Sequence, residues 1–111
     1  MTLIPVTEVV HVIRSKNAGP YELTLDILFK DQANFAATRD ACVVTPESIA
    51  RLYGIPVTDV LKVIYYEPAL AIKITLRRLM TSGAFGETDV YGAQQHAPLL
   101  RLMVPAGNSL L

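Results

Sequence analysis

The chain is 111 residues long, 51% apolar and 18% charged, and ten Lys and Arg balance ten Asp and Glu. That length suits one domain, and the apolar content excludes disorder driven by charge. A zero net charge also argues against a bulk electrostatic nucleic-acid binder, which carries a basic excess.

The elements follow in chain order. Val6, Val9, Val10 and Ile13 recur at helical spacing after Thr7, although the β-branched content leaves a short strand open. Residues 14–20, RSKNAGP, read as a polar loop punctuated by Gly19 and Pro20. Residues 21–30 predict a strand: Leu23, Leu25, Ile27 and Phe29 form an apolar face, and Glu22 and Asp26 lie on the other. The sheet is therefore expected to be covered on one side and partly open on the other. A helix over 31–41 is capped by Asp31. A second, over 45–53, has Thr45 at its N-cap, Pro46 and Glu47 in its first turn, and Gly54 and Pro56 as stops.

Residues 59–66 and 69–77 predict antiparallel strands joined by a tight turn at Glu67 and Pro68. Tyr65 and Tyr66 then point to opposite faces, so at most one is core. A long Gly-rich polar segment over 81–97 precedes a last strand over 99–104, closed by Pro105. These elements predict a single α+β domain over 1–105. Its antiparallel sheet carries helices on one face in a ferredoxin-like, split βαβ pattern. Residues 106–111 are expected to be a mobile tail.

Chemistry has few candidates. Cys42 is the one cysteine, and with no partner thiol it is expected to be a buried, inert group. His11 and His96 are far apart, so no metal site and no cofactor are expected. His11, in an apolar stretch, reads as a packed histidine. The N-terminus has no basic region before its apolar stretch, and no run reaches the length of a membrane span. The expected location is cytoplasmic.

Two polar segments remain. Arg14, Ser15, Lys16 and Asn17 beside Gly19 are residue types that hold anions, and a glycine lets backbone N–H groups turn toward one. Gln94, Gln95 and His96 end the Gly-rich segment. The amides offer donors and acceptors without fixed charge, and the imidazole titrates near neutrality, as a general acid or base must. Arg77 and Arg78 suit a carboxylate or phosphate clamp, or a charged strand end. A basic patch with interleaved aromatics is missing, which again disfavours nucleic acid.

The motifs RSKNAGPYELTLDILF, TPESIARLYGIP, EPALAIKITL and DVYGAQQHAPLL, in that order, closely resemble the bacterial family called domain of unknown function 4387. Members of that family are similar to the small ferredoxin-fold domain of acyclic terpene utilisation A-type proteins. On this resemblance the Arg-Ser loop corresponds to Arg14, Ser15, Lys16, Asn17 and Gly19, and the glycine-containing segment before the last strand corresponds to Gly92–Leu102. The resemblance implies a small subunit encoded beside a large acyclic terpene utilisation A-type protein. Together the two chains would act on a small organic acid or acyl thioester in catabolism. In that expectation the 14–19 and 82–96 segments complete a site shared with the partner. Arg14 and Lys16 hold an anionic group, and Asn17, Gln94, Gln95 and His96 orient polar atoms. The rivals are a purely structural docking module, with all chemistry in the large chain, and a free-standing metabolite-binding homodimer or small enzyme.

Overall fold

The computed structural model describes residues 3–18, 21–77 and 97–106. Strand β1 (Leu3–Pro5) leads through a single 3-10 turn (Val6–Glu8) into β2 (Val10–Asn17) and then β3 (Glu22–Phe29). Two helices follow, α1 (Gln32–Asp40) and α2 (Pro46–Tyr53), and then the hairpin of β4 (Val60–Tyr66) and β5 (Ala71–Arg77). A 3-10 segment (Ala97–Arg101) precedes β6 (Met103–Pro105). The class is α+β, as the element pattern predicts.

The main sheet has the order β2-β3-β5-β4, with every neighbouring pair antiparallel. β3 and β4 therefore run parallel, with β5 between them and both helices in their connection. The rest departs from the ferredoxin-like sequence of elements, in which a second helix precedes the fourth strand. Here the strand on the far side of β3 is β2, which comes before it in a hairpin. β6 does not join this sheet; it pairs with β1 in a separate two-stranded ribbon.

Each helix begins where its sequence signal stands. Asp31 accepts from the backbone N–H of Asn34 at 2.9 Å, so a donor orphaned by the first turn is satisfied. Thr45 accepts from the N–H of Ser48 at 3.0 Å, and the Ser48 hydroxyl accepts from the N–H of Thr45 at 2.9 Å, a reciprocal capping box. Both helices place their buried residues against one face of the sheet. Phe35 of α1 and Ile49 of α2 share a core with Leu23, Leu25 and Ile27 of β3 and with Ile72, Ile74 and Leu76 of β5. Phe35 packs edge-on between Phe29 and Tyr65, with ring centroids at 5.9 and 6.2 Å. Val104 of the ribbon and Val6 and Leu99 of the flanking 3-10 segments add to this core, all fully buried.

Five expectations need correction. The last strand does not span 99–104: Leu99–Arg101 belong to a 3-10 segment, and β6 runs Met103–Pro105, with Pro105 paired to Leu3. Residues 14–17 are strand, not loop: Arg14, Ser15, Lys16 and Asn17 pair in register with Asp26, Leu25, Thr24 and Leu23. The lead segment is a 3-10 turn followed by a strand, as its β-branched valines favour. His11 is exposed, because a β-bulge between Val10 and Val12 leaves it outside the paired register. Cys42 is exposed at the end of α1, with φ at 54°. The expected tail from residue 107 onward lies outside the described residues, and so does most of the Gly-rich segment.

Candidate functional site

Strand alternation sends every second side chain of the main sheet away from the helices. The register then fixes which residues share that open face. One row across the sheet is Val12, Leu28, Ala71 and Tyr66. The next is Arg14, Asp26, Lys73 and Ile64, and the third is Lys16, Thr24, Thr75 and Lys62. Glu22 opposite Arg77 closes the face. It thus grades from an apolar end to a cationic end. Five of the chain's ten Lys and Arg stand on it: Arg14, Lys16, Lys62, Lys73 and Arg77. Among the described residues, Glu22 and Asp26 accompany them on the face, and Asp59 stands beside Arg77.

Asp26 is the structural centre of this surface. Its side chain is 9% exposed, although it points to the open side of the sheet. Arg14 Nε lies 3.2 Å from Oδ2, and Lys73 Nζ lies 3.7 Å from Oδ1. Oδ1 is buried and accepts no hydrogen bond. The two cations come from the strands on either side of β3 and lean over the carboxylate, while keeping 62% and 49% of their own surface. Part of their charge therefore still faces outward. Arg77 Nε lies 3.5 Å from Asp59, which precedes β4 and ties the cationic end of β5 to its neighbour.

Exposed apolar surface lies on β4: Tyr66 in the apolar row and Ile64 in the next are 49% and 46% exposed, whereas Ala71 beside Tyr66 is buried. On the opposite side of β4, Tyr65 turns inward, and its hydroxyl donates to the Val44 carbonyl before α2. Burial raises the Tyr65 phenol above its ordinary value. Burial does the same for Tyr53 on α2, with the Arg101 charge opposing it.

Of the expected site residues, Arg14 and Lys16 fall on the open face, whereas Ser15 and Asn17 alternate onto the helix-covered side. The segment is therefore not one cradle. Gly19, Gln94, Gln95 and His96 lie outside the described residues, as does Arg78, so the expected meeting of the two polar segments has no described geometry. Sequence reasoning passed over Asp26, Lys62 and Lys73 as site residues. Their signal is the register, which one sequence reveals only after the strands are paired. Among the described residues, no three His, Cys, Asp or Glu side chains gather as a metal-binding group. Among them, too, no helix is long and apolar enough to cross a membrane.

A family model described as a domain of unknown function, DUF4387, matches residues 6–103. That span takes in both helices, all four strands of the main sheet and the start of β6. No curated protein and no solved structure matches the chain.

Proposed function

The chain belongs to this family of domains of unknown function, and from that premise we propose that it is the small subunit of a two-chain assembly. Its partner is a large acyclic terpene utilisation A-type protein, and the pair acts on a small organic acid or acyl thioester in catabolism. The observation that carries the subunit reading is the open face of the main sheet. A small α+β domain that covers one face of its sheet ordinarily leaves the other polar and mixed in charge. This one gathers half of the chain's cations beside exposed Ile64 and Tyr66. Charged rims around exposed apolar side chains are the composition of a protein-binding surface. The organic-acid part rests on the resemblance to the acyclic terpene utilisation A-type domain. Arg14 and Lys16 are the residues on the open face that would serve an anion.

The test is co-expression with the large protein encoded beside this chain, followed by mass determination in solution. A stable mixed complex is the expected result. A chain that purifies alone, at its own mass, in the presence of that protein contradicts the proposal. Within the complex, Arg14→Ala separates two roles. If the chain completes a shared site, turnover falls at saturating subunit. If it only docks, turnover at saturation is unchanged.

A further inference from the structure

The subunit reading leaves open which surface meets the partner and what that surface must look like in return. We infer that the open face of β2-β3-β5-β4 is the docking surface, and that it takes an acidic protein surface carrying an apolar patch. The inference rests on the subunit reading above.

Charge decides the occupant. Among the described residues, Arg14, Lys16, Lys62, Lys73 and Arg77 meet three carboxylates, Glu22 and Asp26 on this face and Asp59 beside Arg77, although the chain as a whole is neutral. The cations are thus segregated, not merely abundant. A second copy presenting the same face would place like charges together, and like-charge juxtaposition across an interface is strongly unfavourable. A complementary face must therefore supply carboxylates opposite the row of Lys16 and Lys62, and apolar side chains opposite Ile64 and Tyr66. The three rows fix that order: apolar, mixed, then cationic.

Asp26 adds a second reason. A carboxylate under two cations holds them upright over the sheet, where free long side chains would lie along it. Its Oδ1 sits 3.7 Å from Lys73 Nζ, too far for a hydrogen bond. Arg14 and Lys73 thus stand in fixed positions with their outer surfaces open. Lys16 and Lys62 lie opposite threonines in the next row and carry no carboxylate partner within it. They are the charges most available to another protein. Nucleic acid fits less well, because among the described residues this face offers Tyr66 as its one aromatic and keeps two acids among its cations.

The experiment measures binding of the full chain to the purified large acyclic terpene utilisation A-type protein. The double reversal Lys16→Glu/Lys62→Glu is compared with Arg51→Glu/Arg101→Glu, an equal charge change at α2 on the helix-covered side. The inference predicts at least about tenfold weaker binding for the first pair and less than about twofold change for the second. Wild-type affinity should also fall by about tenfold between 50 and 300 mM salt, as screening removes an electrostatic contribution. If the wild-type complex forms and both pairs bind alike, the docking surface lies elsewhere and this inference fails while the subunit reading stands. If the wild-type chain forms no complex, the subunit reading itself fails and takes the inference with it. Two further outcomes overturn the inference. One is a reversal that lowers the melting temperature of the isolated chain and leaves affinity alone, which marks the face as covered by the chain's own residues. The other is wild-type retention on single-stranded DNA that the reversal abolishes.

Discussion

Asp26, which is buried, and Tyr65, which is half-buried, differ in what they contribute. Asp26 pairs with side chains that keep 62% and 49% of their surface, so water screens both partners and regains them readily if the pair is broken. Asp26→Asn is therefore expected to cost about 1 kcal/mol or less by chemical denaturation. A loss of about 3 kcal/mol or more would instead mark a buried ion pair on which the fold depends. The same change removes a negative charge from the open face and releases Arg14 and Lys73 from the carboxylate that positions them. Tyr65 serves the fold, because its hydroxyl satisfies the buried Val44 carbonyl. Tyr65→Phe leaves that acceptor unpaired and should cost about 1–3 kcal/mol.

Burial also raises the Tyr65 phenol above 10.0, its ordinary value, and the unfolded chain feels no such effect. The sign follows directly. Below pH 10 both states are protonated and the contribution is complete. As pH climbs further the unfolded phenol ionises first, and stability drains away. Tyr53, also raised by burial, adds to the same decline. Denaturation curves between pH 9 and 11.5 should show stability falling, with a shallower fall in Tyr65→Phe. Equal slopes in the two proteins would contradict the assignment.

At the scale of elements, the helices and the strands of the central hairpin were legible in the sequence because their signals are local. Asp31, Thr45 and Pro46 stand at helix starts, and Leu23, Leu25, Ile27 and Phe29 alternate without interruption. β2 was not legible, since its residues over 14–17 are polar on both faces. Arg14 and Lys16 look outward, while Ser15 and Asn17 occupy the covered side near the sheet's end. Alternation cannot be read where both phases are polar. The ends of the two helices make the same point. Both close with paired backbone bonds, Cys42 to Arg39 and Val43 to Thr38 after α1, and Gly54 to Arg51 and Ile55 to Ala50 after α2. That is the Schellman pattern, which needs a left-handed residue.

Gly54 announces this position in the sequence; Cys42, at φ 54°, does not. Cys42→Gly should therefore stabilise the chain by about 0.5–1 kcal/mol, because a side chain in the left-handed region is strained. Gly54→Ala should destabilise it by a similar amount, about 1 kcal/mol. An added Cβ there meets nothing within 4 Å, so the backbone alone sets that cost. Melting curves of the two variants, moving in opposite directions, check the assignment. Movement in the same direction refutes it.

For the whole molecule, the division of labour is between the two faces of one sheet. The helix-covered face, closed by Phe35, Ile49, the ribbon's Val104 and Val6 and Leu99 of the flanking 3-10 segments, supplies the stability. The open face has no such role and is free to carry charge. The sequence announced that one face would be open, from Glu22 and Asp26 opposite four apolar residues. It did not announce that Arg14, Lys16, Lys62, Lys73 and Arg77 would converge there. They lie on three strands, and their grouping depends on the bulges that set the register of β2 and β4. His96, Gln94 and Gln95, the other half of the expected site, lie outside the described residues. The open face therefore carries the functional reading without them.

The most direct test of that division is zero-length carbodiimide cross-linking of the chain to the large acyclic terpene utilisation A-type protein, read by mass spectrometry. The reagent joins only amines and carboxylates that already touch. Cross-links from Lys16, Lys62 or Lys73 to acidic residues of the partner are the predicted result. Cross-links confined to Asp40 of α1 or Glu47 of α2, joined to amines of the partner, with none from the lysines of the sheet's open face, would place the interface on the helix side of the molecule and contradict the account.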